Sequence, residues 1–233
     1  MDFFIKATEI INEKVSEAMR EQGKCSIMLT GGRTAKSLYK TWAMQPPWEH
    51  TEITYYFGDE RCVFPTHSES NFGMVISSLF PNGVPDGCNV ERMRGEVADK
   101  SAEADRYAAL LPKPIDILLL SVGSDGHIAS LFQDNIASDG ESKAVMSVTG
   151  PKQPYDRLTI MPRIIKSAKS IFVFAMGEEK GMILTKALND PENIEDLPVR
   201  LTIGSTWILD RDAAKSFKIT KKDNYFNTRI VYG

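Results

Sequence analysis

The chain has 233 residues, 42% hydrophobic and 25% charged, with a net charge of −3, the make-up of an ordinary soluble globular protein with a proper core. Acidic and basic residues are interspersed, so no broad field invites nucleic acid or an anionic membrane, and an anionic ligand has to be captured locally. The three cysteines are widely spaced without a Cys-x-x-Cys pair, no apolar run is long enough to span a membrane, and the N-terminus is unlike a secretory signal, which together predict a reduced, cytoplasmic protein filling residues 1–233 as one domain.

Residues 3–20 place Phe4, Ala7, Ile11, Val15, Ala18 and Met19 at helical spacing, and Gly23 follows where a C-terminal cap belongs. CSIMLT (25–30) is too short for a helix; it opens into Gly31-Gly32, after which Ala35, Leu38, Tyr39 and Trp42 resume the helical period. The unit is strand, glycine turn, helix, and it recurs. ITYYF (53–57) leads into GDER, IDILLLSV (115–122) into GSDGH, and IFVFAM (171–176) into GEEK and the helical GMILTKAL. Between them, 71–80 and 101–111 read as helices. Near-continuous apolar strands alternating with helices predict an α/β protein, an open and mainly parallel sheet with helices on both faces, Rossmann-like. Proline clusters, among them 151–154, read as turns, and the tail from 217 to 233 reads either as an added edge strand or as a partner-binding segment.

In such a sheet ligands bind beyond the carboxyl ends of the strands. The loops after Thr30, Phe57, Val122 and Met176 are therefore expected to gather at one edge. The first, LTGGRT, offers Gly31 and Gly32 for a tight turn whose N–H groups can face an anion, with Arg33 and Thr34 as further donors. It is neither a Walker nor a dinucleotide motif, and the same glycines also suit a plain tight connection. The second sets Asp59 and Glu60 beside Arg61, able to orient hydroxyls and clamp an oxyanion, or to form a solvated ion pair. The third places His127, one of three histidines, at an expected helix start, where the dipole would keep it neutral, with Asp125 able to hold its tautomer or to cap that helix. His50 and His67 fall in polar turns and read as surface residues. Arg157 precedes an apolar run and is expected to face inward; Lys180 opens a helix, where a cation is disfavoured unless an anion compensates it. A lone histidine with no i, i+4 partner or thiolate is a poor zinc signature, so no metal is expected.

At these loops the sequence resembles the 6-phosphogluconolactonase family, related in fold to glucosamine-6-phosphate deaminases and ribose-5-phosphate isomerases. LTGGRT is similar to that family's Ser-Gly-Gly-Ser-Thr-Pro loop, FGDERCVFPTHSESN to its Asp-Glu-Arg segment ending in Ser-Asn, and GSDGHIASLF to its Gly-Pro-Asp-Gly-His-Thr-Ala-Ser-Leu-Phe segment; PKQPYDRLTIM, GEEK and GSTWILDRDAA follow in order. The resemblance implies hydrolysis of 6-phospho-D-glucono-1,5-lactone in the pentose phosphate pathway, without metal or organic cofactor. The ligand would be a small phosphorylated sugar lactone, and the chain a monomer or weak homo-oligomer. It implies His127 as general base, with Asp59, Glu60 and Asp125 positioning hydroxyls or the imidazole. Gly31, Gly32, Arg33, Thr34, Arg61, Asn71, Arg157 and Lys180 would bind substrate, largely through its phosphate. Arg33 stands where the family has Ser, Ser124 where it has Pro and Ile128 where it has Thr. The alternative is a deaminase or sugar-phosphate isomerase, whose Asp-Glu-Tyr and Ala-Phe-Asn-Glu-Pro segments this chain replaces with Asp-Glu-Arg and ASLFQ.

Overall fold

In the first helix, α1 (Phe3–Gln22), the Asp2 carboxylate accepts a hydrogen bond from the Phe4 N–H, and Gly23, at φ 72°, closes the far end by donating to the Met19 carbonyl. Its buried stripe, Phe3, Ala7, Ile10, Ile11, Val15 and Ala18, repeats at three- and four-residue steps. Both ends and the buried face of this helix agree with the sequence pattern.

The computed structural model describes residues 2–45, 52–133, 142–218 and 228–233; His50 and residues 219–227 of the tail lie outside them. After α1 come β1 (Lys24–Leu29), α2 (Arg33–Trp42), β2 (Glu52–Phe57), β3 (Asp59–Arg61), α3 (Asn71–Leu79), β4 (Cys88–Val90), α4 (Lys100–Leu110) and β5 (Ile117–Ser121). Then follow β6 (Val145–Thr149), β7 (Asp156–Ile160), α5 (Pro162–Ser167), β8 (Ser170–Ala175) and α6 (Glu178–Asn189). A 3-10 turn (Pro198–Thr202), β9 (Thr206–Leu209), α7 (Arg211–Ser216) and β10 (Arg229–Tyr232) complete the chain.

Seven strands form one sheet in the order β10-β9-β8-β5-β1-β2-β4, every pair parallel. Alternation within the apolar runs explains their composition: Ile27 and Leu29 of β1 with Ile117 and Leu119 of β5 pack on one face, while Met28, Leu118 and Leu120 pack on the other. Trp42, Tyr39 and Tyr55 fill the first layer and Tyr107, Trp207 and Leu184 the second, so both faces are sealed. The four described residues of β10 add an edge strand beside β9.

An element beside the cleft departs from the sequence reading. Asp59–Arg61, read there as a loop, pairs antiparallel with β7, which in turn pairs with β6, giving a second, three-stranded sheet. Three residues are too few to carry a strand period, and their partners lie about a hundred residues away. The main sheet reverses its winding between β1 and β5: the chain leaves β1 for β2 on one side and returns to β5 on the other. The loops after β1 and β5 therefore diverge around a crevice at the carboxyl edge.

Candidate functional site

That crevice is a cleft of about 410 Å³ lined by the ends of β1 and β5, the start of α2, and side chains from β3, β7 and α6. At its foot Thr30 Oγ1 accepts a hydrogen bond from the Ser121 N–H, joining the two diverging strands (3.2 Å). The glycine turn lies on one wall. A Cβ on Gly31 would sit 2.1 Å from Asn71 Oδ1, so only glycine fits there, and Gly32, at φ 97°, turns the chain into α2. Arg33 and Thr34 open that helix and line the cleft.

On the opposite wall the segment 122–131 is a compact loop pinned by short bridges from Ile128 to Val122 and Leu131; no helix starts at His127. The expected dipole effect on the imidazole is thereby replaced by a direct partner. His127 Nδ1 lies 2.5 Å from Asp125 Oδ1, and its own backbone N–H reaches the same oxygen. This hydrogen bond, more than burial opposes it, holds the Asp125 carboxyl down at about 2. An ionised carboxylate only accepts, so Nδ1 carries a proton and, in the neutral ring, the lone pair falls to Nε2. The turn is tight: Gly123 N–H donates to the His127 carbonyl at 2.8 Å, Gly126 adopts φ 84°, and Ala129 is held at φ 50°, a strained conformation for a residue with a Cβ. The ring rests against Phe132, centroids 4.8 Å apart.

The floor is cationic. Arg157 is buried and bonded through Nε to the Pro154 carbonyl at 2.6 Å and through Nη2 to that of Lys152 at 3.2 Å; burial first, then the neighbouring Arg61, lowers its pKa. Arg61 Nη1 meets the carbonyl and carboxylate of Glu69 at 2.7 and 3.1 Å. Lys180, in the first turn of α6, also has its pKa lowered by burial, with Arg33 and Lys152 adding repulsion and Asp125 opposing it. Asp59, buried at the cleft wall, accepts from Ser130 Oγ at 2.6 Å and from Asn71 Nδ2 at 3.1 Å. Two buried polar atoms of cleft residues, Arg61 Nε and Ser121 Oγ, have no hydrogen-bond partner among the described residues. An excess of cations and open polar groups suits a polar anion.

Gly31, Gly32, Arg33, Thr34, Asp59, Arg61, His127, Arg157 and Lys180 thus come together as expected, with Asp125 behind the histidine. Glu60 does not. Its carboxylate, 2% exposed, accepts from the N–H groups of Arg61, Asn71 and Phe72 and from Ser70 Oγ, so it caps the start of α3 rather than facing the cleft; burial nevertheless raises its pKa. Asn71 is likewise away from the cleft lining: its amide is spent on the Asp59 carbonyl and carboxylate, against the expectation that it binds substrate. Lys152 and Ser121 line the cleft without having been singled out, Lys152 because it sits inside a proline turn and Ser121 because it ends an apolar strand. His67 is exposed, as expected, its Nδ1 accepting from the Glu69 N–H. Among the described residues, no three His, Cys, Asp or Glu side chains are grouped to hold a metal, no helix is long and apolar enough to cross a membrane, and the cysteines are free.

Fold and cleft together define a doubly covered parallel-sheet protein with a cation-lined, histidine-bearing crevice at its topological switch point. The chain belongs to the family of glucosamine-6-phosphate isomerases/6-phosphogluconolactonase, whose model matches residues 2–208. It is 34% identical over 202 residues, 81% of this chain and 86% of the relative, to the 6-phosphogluconolactonase of Aggregatibacter actinomycetemcomitans. The solved 6-phosphogluconolactonase of Trypanosoma cruzi superposes with a TM-score of 0.75 at 28% identity, covering 93% of each chain. A monomeric glucosamine-6-phosphate deaminase shares the fold at 20% identity, with a TM-score of 0.76 over 92% of this chain and 95% of its own.

Proposed function

We propose that this chain hydrolyses 6-phospho-D-glucono-1,5-lactone to 6-phospho-D-gluconate with His127 as general base. The observation that carries this reading is the Asp125–His127 pair, 2.5 Å apart, on a cleft that also gathers Arg33, Arg61, Lys152, Arg157 and Lys180. Water attacks the lactone carbonyl carbon while Nε2 takes its proton; the ring C–O bond then breaks and the same proton passes to the departing ring oxygen, leaving the carboxylic acid, which ionises. Asp125 stabilises the imidazolium formed in between, as a carboxylate behind a histidine does in hydrolytic triads. The tetrahedral oxyanion needs donors, and Arg61, with an unpartnered Nε, and the amides of the glycine turn are close enough in the fold to supply them. Arg33 and Lys152, whose charges both act on Lys180, suit the phosphate together with it.

An isomerase or deaminase would need a carboxylate free to move a proton between sugar carbons, and Asp59 has both oxygens engaged by Asn71 and Ser130. The assay supplies freshly generated 6-phosphogluconolactone and, separately, glucosamine 6-phosphate, following acid and ammonia release. Accelerated lactone opening without ammonia is expected. Ammonia release with lactone opening at the spontaneous rate overturns the proposal.

A further inference from the structure

Arg200 is a buried cation outside the cleft, its side chain only 1% exposed, and burying a guanidinium is expensive unless it is paired and hydrogen-bonded. Nη2 pairs with Asp190 Oδ2 at 2.9 Å and Nη1 donates to the Asn193 carbonyl, while Nε has no hydrogen-bond partner among the described residues. One side chain thus ties the residue that ends α6 and the connection after it to the 3-10 turn at 198–202. The segment so fixed, 190–200, lies against the turn that carries the histidine. Val199 N–H donates to the Gly126 carbonyl at 2.9 Å, and a Cβ on Gly126 would lie 2.2 Å from Leu197 Cδ1. Gln133 Nε2 reaches Asp196 at 3.2 Å on the same side. Gly126 is the residue between Asp125 and His127, so whatever holds its backbone holds the pair.

We propose that residues 190–200 form a strap, locked by Arg200, that sets the position of the Asp125–His127 pair, making Arg200 and Leu197 positioning residues for turnover. Neither touches the cleft; both act through Gly126. Burial of Leu197 (2% exposed) and Val199 (0%) gives the strap a rigid footing in the main core, so a displacement of its loop end is passed to the turn and not absorbed. Misplacement of a base by about 1 Å is enough to lower a rate on the order of a hundredfold.

The inference rests on His127 being the base, and its test is arranged to fail separately from that reading. Arg200→Met, Arg200→Lys and Leu197→Ala are compared with the wild type for kcat, KM and affinity for 6-phosphogluconate. Arg200→Met is expected to lower kcat by roughly 10- to 100-fold with KM and product affinity within about twofold. Arg200→Lys, keeping the charge and one of the two contacts, recovers most of that loss. Leu197→Ala lowers kcat by about tenfold with the ionic tie intact. A folded Arg200→Met with wild-type kcat, or a loss shared equally by product affinity, overturns the strap. If Arg200→Met does not fold, Leu197→Ala decides alone, wild-type kcat again overturning it. Should the wild type open no lactone, the functional reading falls and the strap is judged by the His127 imidazole N–H proton resonance in NMR: its loss in Leu197→Ala supports the strap, and an unchanged resonance overturns it.

Discussion

Gly123→Ala adds one methyl group, and the structure says where it goes. A Cβ at this position would lie 2.0 Å from His127 Nδ1 and 2.5 Å from Asp125 Oδ1, against ordinary contacts that begin near 3.4 Å. Gly123 is not among the glycines at positive φ, so alanine can take up its backbone conformation and the conflict is with the imidazole–carboxylate pair alone. Relief requires the ring to retreat by about 1.4 Å, the difference between the 3.4 Å at which ordinary contact begins and the 2.0 Å the added Cβ would impose. A displacement of that size at a proton-transferring group costs on the order of a hundredfold in kcat, equivalent to about 2.7 kcal/mol in activation free energy. The assay is lactone turnover measured against the spontaneous opening rate, beside affinity for 6-phosphogluconate and a thermal unfolding curve. The expected pattern is a large fall in kcat, unchanged product affinity and an intact fold. Gly83→Ala is the control: it has open space but φ 94°, so it should lose about 1 kcal/mol of stability and no activity. A folded Gly123→Ala turning over within about threefold of wild type would refute the placement of the base.

Removing the proposed base by His127→Ala should cut kcat by roughly 10²- to 10⁴-fold with the fold kept, and near-normal turnover would show that the base lies elsewhere. Lys152→Ala and Lys180→Ala should chiefly raise KM, each by about tenfold, because cations that hold a phosphate would serve binding in ground and transition states alike; an unchanged KM would remove them from the proposed phosphate seat. Asp125 has its carboxyl held at about 2, below its ordinary 3.8, so its pairing stabilises the folded state fully above about pH 4 and is lost as the pH falls through 2. Thermal unfolding of wild type and Asp125→Asn should therefore differ at about pH 5 and converge toward pH 2, and a constant gap across that range would contradict the assignment.

What the sequence made legible was whatever rests on local period or on steric exclusion. The runs 25–30, 53–57, 115–122 and 171–176 declare buried strands because both faces of the sheet are covered, and the Gly31-Gly32 pair declares the tight turn into α2. The errors arose where direction matters and spacing is silent. Asp59 and Glu60 are neighbours on a three-residue strand, so their side chains leave it on opposite sides: Asp59 reaches the cleft wall and Glu60 the start of α3. A sequence carrying two adjacent acids reads the same whichever of them faces the ligand. His127 reaches the cleft by a different route from the one its sequence suggests, since a glycine-rich turn before an apolar stretch looks like a helix start, yet here the chain bridges back on itself and the imidazole meets Asp125. The contacts of Gly126 with Leu197 and Val199 bridge roughly seventy residues of chain and obey no local rule at all. The residues that line the cleft are thus largely readable from local composition, whereas the packing behind them emerges only when the tertiary structure is in view, and for that reason the proposed strap is where substitutions outside the cleft should be felt most strongly in kcat.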